Sequence, residues 1–228
     1  MDGQPYEGYV VFDDAQVEPR PGVLVCHEWW GLNDYAKSRA DQLAQLGYIA
    51  LACDIYGKGQ RATTAEDAQK LATPFYSDRA LLRTRVRAGL DELLKHPLTD
   101  QQRVAVIGYC FGGMAALELA RSGADIKGVV SFHGSLATPN PEDAKSIKAK
   151  VLVLHGADDP HVNAEQVAAF EDEMRTAGVD WQLVAYGGAV HAFTNPAAGN
   201  DPTTGVAYNA AADRRSWQAM KNFFNEIF

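Results

Sequence analysis

The sequence predicts an α/β fold, a mostly parallel sheet of about seven strands covered by helices on both faces. Three observations predict it. Several short runs are continuously apolar, as strands buried on both faces of a parallel sheet must be. These runs alternate along the chain with longer stretches patterned as helices. Glycine or proline stands where several of those helical stretches should stop.

The elements follow in order. Gly8 to Phe12 and Val23 to Cys26 read as the first two strands. Asn33 is a plausible N-cap for a helix over Tyr35 to Leu46, and Tyr48 to Cys53 reads as the third strand. The Gly-rich, basic stretch Tyr56 to Thr64 reads as a surface loop. Arg79 to Lys95 is the next helix, ended by Pro97, and most of its arginines fall at the spacings of a solvated face. Strands at Val104 to Ile107, Val129 to Phe132 and Val151 to Leu154 then alternate with helices over Met114 to Arg121 and Ala164 to Ala177, closed by Gly123 and Gly178. Gln182 to Tyr186 is the last strand, and Thr194 to Gly205 is a Pro-, Gly- and Asn-rich loop able to rim a site. Ala210 to Phe228 forms the closing helix.

A chain of 228 residues suffices for one sizeable core, so a single domain over residues 1–228 is expected. With 21 basic and 29 acidic residues the net charge is −8, which favours solubility and argues against nucleic acid as a partner. Cys26, Cys53 and Cys110 are an odd set without paired spacing, so neither a disulfide framework nor a Cys-rich zinc site is expected. The polar start Met1-Asp2-Gly3-Gln4-Pro5 lacks the apolar core of a signal peptide, and no later run approaches a membrane span. These features together predict a cytoplasmic protein without metal or cofactor, a monomer or small homo-oligomer.

The chemistry centres on Val104-Ala105-Val106-Ile107-Gly108-Tyr109-Cys110-Phe111-Gly112-Gly113, where an apolar strand breaks into Gly-x-Cys-x-Gly and at once into a helix. This pattern reads as a nucleophile elbow, in which small flanking residues let the strand turn sharply and hold the central side chain on strained backbone. A thiol at a helix start lies near unpaired N–H groups and the positive end of the helix dipole, which favours the nucleophilic thiolate. The same junction also occurs where a helix merely packs close to a sheet, so the partners must decide.

Elbow enzymes of this type order their triad along the chain as nucleophile, acid, histidine. The strand Val151 to Leu154 runs into His155-Gly156-Ala157-Asp158-Asp159-Pro160-His161-Val162, at the carboxyl end where α/β sites form. Gln182 to Tyr186 runs into Gly187-Gly188-Ala189-Val190-His191-Ala192-Phe193. His191 is the candidate base. Asp159 is preferred to Asp158 as its partner, since Asp158 would more naturally cap the turn or face solvent. His27, His133 and His155 fall at strand ends as pocket wall or satisfied polar groups, with no spacing that asks for a metal. Cys26 and Cys53 read as core or site-wall residues.

Gly108-Tyr109-Cys110-Phe111-Gly112-Gly113, Asp159-Pro160-His161-Val162 and His191-Ala192-Phe193 together resemble the dienelactone hydrolases (carboxymethylenebutenolidases), a branch of the α/β-hydrolase fold with Cys in place of Ser. The resemblance spans nearly the whole chain. It implies a small-molecule ester or lactone as substrate and assigns a role to Glu28, after the strand Val23 to Cys26, as a carboxylate in resting contact with the thiol. It also implies an oxyanion hole from the backbone N–H groups of Trp29 and Phe111. Tyr109, His133 and Asn195 are candidate substrate contacts. Asn195 stands where the best-known members carry an arginine that helps bind the carboxylate of dienelactone, and Arg61, Arg79, Arg83, Arg85 and Arg87 are the candidates for a second such arginine. A general carboxylesterase or thioesterase, a thiol redox protein and a binding protein on a hydrolase scaffold are the alternative functions.

Overall fold

In a computed structural model, residues 5–228 are described, and the stretch Met1-Asp2-Gly3-Gln4 lies outside them together with the expectation placed on it. Seven strands form one sheet: β1 (Gly8–Val11), β2 (Arg20–Cys26), β3 (Ile49–Cys53), β4 (Thr99–Tyr109), β5 (Gly128–Phe132), β6 (Lys150–Gly156) and β7 (Trp181–Tyr186). Their spatial order is β1-β3-β2-β4-β5-β6-β7. Only β1 is antiparallel, pairing with β3, and every other neighbour is parallel. This is the mostly parallel α/β-hydrolase-like sheet that the sequence predicts.

Alternation within each strand sends successive side chains to opposite faces, and both faces are buried. Val23 and Val25 of β2 join Ala36, Ala40 and Leu43 of α1 (Asp34–Gln45) and Met220, Phe223 and Phe224 of α6 (Ala210–Ile227). Leu24 and Cys26 instead meet residues of α2 (Ala65–Ser77), α3 (Arg79–Lys95), α4 (Phe111–Arg121) and α5 (Ala164–Ala177). Cys26 and Cys53 lie opposite each other across β2 and β3 inside this second layer. They are core residues rather than site wall. Asn33 caps α1 by accepting from the Ala36 N–H, and Gly178 closes α5 with a left-handed φ of 70°.

The sequence does not predict helix α2, since its patterns give a loop over Tyr56 to Thr64 and then a helix beginning at Arg79. Thr64 accepts from the Asp67 N–H as its N-cap, and Ala68, Ala72 and Phe75 supply a buried stripe. Pro74 in its last turn, a residue that normally breaks helices, obscures that pattern.

The solvated arginine face expected of α3 is also corrected. Arg87 is exposed and pairs with Asp91, but Arg85 is buried and its guanidinium stacks 4.3 Å from the Tyr6 ring. Arg83 reaches Glu118 at 2.7 Å and Asp143 at 2.6 Å. The reason lies in α4, which is buried along its whole length while carrying Glu118 and Arg121. A buried carboxylate needs cations, and α3 supplies them.

Between β3 and β4 the chain crosses from one side of β2 to the other, so the loops that follow β2 and β4 diverge and open a crevice at their carboxyl ends. The residues Glu28, after β2, and Cys110, after β4, stand at that switch point. Among the described residues, no helix is long and apolar enough to cross a membrane.

Candidate active site

Cys110 occupies a backbone conformation that L-residues rarely adopt, with φ 54° and ψ −117°, at the junction of β4 and α4. Two glycines make this possible. A Cβ on Gly108 would lie 1.9 Å from the Gly112 carbonyl oxygen, and one on Gly112 would lie 2.2 Å from the carbonyl oxygen of Cys26. The sharp turn therefore tolerates no side chain at either position.

His191 leaves β7 on a loop pinned to the Gly205 and Ala207 backbone, with its own N–H donating to Gly205 and its carbonyl accepting from Ala207. Its Nε2 lies 3.1 Å from Cys110 Sγ, and its Nδ1 lies 2.8 Å from Asp159 Oδ2. The other oxygen of Asp159 accepts from the His161 N–H at 2.8 Å, so the carboxylate is fixed in orientation. Asp158 faces away and accepts from the Gly188 N–H. Thus residues 110, 159 and 191, from three different strand ends, form one hydrogen-bonded line. Burial alone would disfavour a charge on His191, but the adjoining Cys110 sulfur and Asp159 outweigh it and hold the imidazole well above its ordinary pKa.

Glu28 is 2 % exposed, and its Oε2 accepts from Asn195 Nδ2 at 2.6 Å. Asn195 Oδ1 accepts from the Ala197 N–H, which fixes which end of the amide faces the carboxylate. Burial, against the Asn195 hydrogen bond and the nearby His191 and Arg39, raises the Glu28 carboxyl to about 7. The resting contact expected between Glu28 and the thiol is replaced here by the amide of Asn195, while the Cys110 sulfur is taken by His191.

These groups open onto a cavity of about 910 Å³, a size suited to a small organic molecule. Glu28, Trp29, Cys110, His191 and Asn195 line it, together with Trp30, Tyr35, His161 and Val162. Ala197 and Ala198 place the Thr194 to Gly205 loop on the rim, as its composition suggests, and Ala62 does the same for the loop before α2. Gln69 and Tyr76 of α2 also line the wall, and the sequence reading missed them with their helix. Thr64-x-x-Asp67 is the signal that could have revealed both.

Two of the expected substrate contacts lie elsewhere. Tyr109 is fully buried against Phe132, with their rings 4.6 Å apart, because alternation along β4 turns it away from the cavity. His133, 1 % exposed, sits behind the elbow: its Nδ1 accepts from the Cys110 N–H at 3.1 Å and its Nε2 lies 2.6 Å from Thr194 Oγ1. Accepting at Nδ1 requires the neutral tautomer protonated at Nε2, and burial lowers this imidazole well below its ordinary pKa. Likewise His27 accepts from the Ile55 N–H and faces its own strand end, with burial lowering it to about 4. Among the described residues, neither the Trp29 nor the Phe111 backbone N–H has a hydrogen-bond acceptor.

A family model described as the Dienelactone hydrolase family matches residues 6–228. A solved dienelactone hydrolase-like promiscuous phosphotriesterase from metagenomic libraries is 46% identical, with a TM-score of 0.94, covering 99% of this chain and 94% of its own. A protein of Aquifex aeolicus named "Putative carboxymethylenebutenolidase" is 31% identical over 209 residues, 90% of this chain and 87% of its own. A protein of Caenorhabditis elegans is 38% identical over 154 residues, 64% of this chain and 94% of its own.

Proposed function

The chain belongs to the dienelactone hydrolase family, and from that premise we propose that it hydrolyses activated esters and lactones through Cys110, His191 and Asp159 by way of an acyl-thioester. The observation that carries the proposal is the hydrogen-bonded line itself, with His191 Nε2 3.1 Å from Cys110 Sγ on a cavity wall. His191 holds the proton of the sulfur, and the thiolate adds to the substrate carbonyl carbon. The free N–H groups of Trp29 and Phe111 hydrogen-bond the oxyanion that forms. Collapse breaks the bond from carbonyl carbon to leaving-group oxygen, and that oxygen takes the proton from His191 Nε2. Water then adds to the thioester, passing a proton to His191, and the Cys110 thiolate leaves as the carboxylic acid is released. Asp159 keeps the imidazole in the required tautomer and stabilises its charge throughout.

A thiolate is itself a good leaving group, so the intermediate goes forward only when the substrate oxygen departs at least as easily. Enol and phenol esters meet that requirement, whereas alkoxides and amines do not. Glu28, with its carboxyl raised to about 7, is assigned as a proton reserve beside this line. A single domain over residues 1–228, acting in the cytoplasm as a monomer or small homo-oligomer on small molecules without a cofactor, completes the proposal.

The test is steady-state hydrolysis of dienelactone, an activated aryl ester and an acyl thioester by the wild type and by Cys110→Ala. Turnover of at least one substrate, abolished in the variant, is the expected result. Retention of most of the activity by Cys110→Ala rules the mechanism out. The phosphotriesterase relative favours adding a neutral phosphotriester to the panel.

A further inference from the structure

The walls of the cavity carry a distinctive charge pattern. Its side chains include the buried carboxylate of Glu28, the fully exposed carboxylate of Asp34 at the mouth, and four aromatic rings, Trp29, Trp30, Tyr35 and Tyr76. Among the described residues, no lysine or arginine lines it. Three guanidinium groups have partners outside the cavity: Arg39 pairs with Asp213 at 2.7 Å, Arg61 with Glu7 at 2.6 Å, and Arg79, 5.8 Å from the Tyr76 ring, donates to the Phe75 carbonyl at 3.1 Å with Glu118 at 4.0 Å. The imidazole of His191, held above its ordinary pKa, is flanked by Asp159 and the Cys110 sulfur and has no charge to spare for a ligand.

The amide of Asn195, buried on the cavity wall, already donates to Glu28. An anionic group entering here would lose its water, face a buried carboxylate and find no cation in return. An aromatic or apolar group would exchange water for ring faces at little electrostatic cost.

The geometry points to a substrate whose acyl part is uncharged and aromatic or apolar, with acyl groups that bear a carboxylate turned away. The inference deepens the acyl-transfer reading and rests on it. Asn195 and Glu28 act together as the specificity-determining pair: the amide occupies the carboxylate's oxygen, and the carboxylate repels a second one. Gln69, on the α2 wall, contributes a neutral side chain where a cation would weaken the preference.

The experiment compares 4-nitrophenyl 4-methylbenzoate with 4-nitrophenyl 4-carboxybenzoate at pH 8, after subtraction of the buffer rate. The two acyl groups are close in size, and the para carboxylate cannot reach its own ester. The wild type should favour the methyl ester in kcat/KM on the order of 100-fold. Glu28→Gln should narrow that ratio, and Gln69→Arg should narrow it by raising turnover of the carboxylate ester. Equal kcat/KM for the two esters in the wild type overturns the inference.

A binding measurement separates this failure from failure of the hydrolase reading. Cys110→Ala is titrated by calorimetry with N-phenyl 4-methylbenzamide and its 4-carboxy analogue, neither of which requires turnover. If neither ester is hydrolysed but the methyl amide binds more tightly, the acyl-transfer reading fails and the charge preference stands. Equal binding of the two amides, or binding of neither, removes the preference itself.

Discussion

Two carboxylates, Glu118 on α4 and Glu28 after β2, are buried to nearly the same degree, at 0 % and 2 % exposure. Their partners differ. Glu118 is held by Arg83 at 2.7 Å and Arg121 at 3.0 Å, and Arg121 in turn clasps Glu173 at 2.8 Å. Glu28 has one neutral amide at 2.6 Å, and its carboxyl is raised to about 7. The first arrangement satisfies charge and ties α3, α4 and α5 together. The second leaves a carboxyl poised near neutrality at the edge of a cavity, an arrangement unfavourable for stability to which the proposed function gives a chemical role. The contrast teaches that burial alone does not distinguish structural charge from functional charge. The identity of the partner does.

The sharpest test on the functional side is Cys110→Ala, which should lower kcat/KM by on the order of 10⁴-fold or more while leaving the urea midpoint nearly unchanged. A large loss of stability instead would mean that the strained elbow is maintained by its sulfur contact. On the structural side, Glu118→Ala should lower unfolding stability by about 3 kcal/mol, because fully buried Arg121 would keep only Glu173 and partly buried Arg83 only Asp143. Its activity, measured at a temperature where the variant is folded, should stay close to that of the wild type.

Glu28→Gln should behave in the opposite sense. The folded carboxyl holds its proton up to about pH 7, whereas the unfolded one releases it near 4.5. Below pH 4.5 both states are protonated and the substitution changes little. Between these values the unfolded state ionises first, so the wild type loses stability as pH rises, and above 7 the full penalty is present. The variant should therefore be more stable than the wild type by about 3 kcal/mol at pH 8 and by almost nothing at pH 4, as urea titrations at the two values would show. The reverse dependence would mean that Glu28 is stabilised as an anion. Arg87→Ala, in the exposed pair with Asp91, sets the lower bound and should shift stability by no more than about 0.5 kcal/mol.

Much of the fold is legible in the chain because its signals are local. Continuous apolar runs mark β2, β3 and β6, and Asn33 and Gly178 mark helix ends through hydrogen bonds made within a few residues. The line from Cys110 to His191 to Asp159 is legible for a related reason. Each member sits just beyond a strand end, and the chain order of strands in a parallel sheet brings those ends to one edge. Helix α2 escaped because Pro74 masks an otherwise regular stripe. Tyr109 and His133 were placed near the site correctly in sequence but on the wrong side of it, since a one-residue step along β4 and a left-handed φ of 41° at His133 decide which way each side chain points.

By itself the sequence determined the sheet, its two covering layers and the three residues of the proposed triad, because periodicity, caps and the strained Gly-x-Cys-x-Gly turn are written among near neighbours. Only the tertiary structure decided that Asn195 meets Glu28, 167 positions away, and that Arg83 of α3 turns inward to Glu118. The same holds for the cavity wall, where the segment after β2 sets its aromatic rings and carboxylates against α2 and the loop after β7 without a lysine or arginine among the described residues. Such pairings depend on which loops the folded sheet brings into contact, and the free energy of a buried charge depends on every group around it, whatever its distance along the chain.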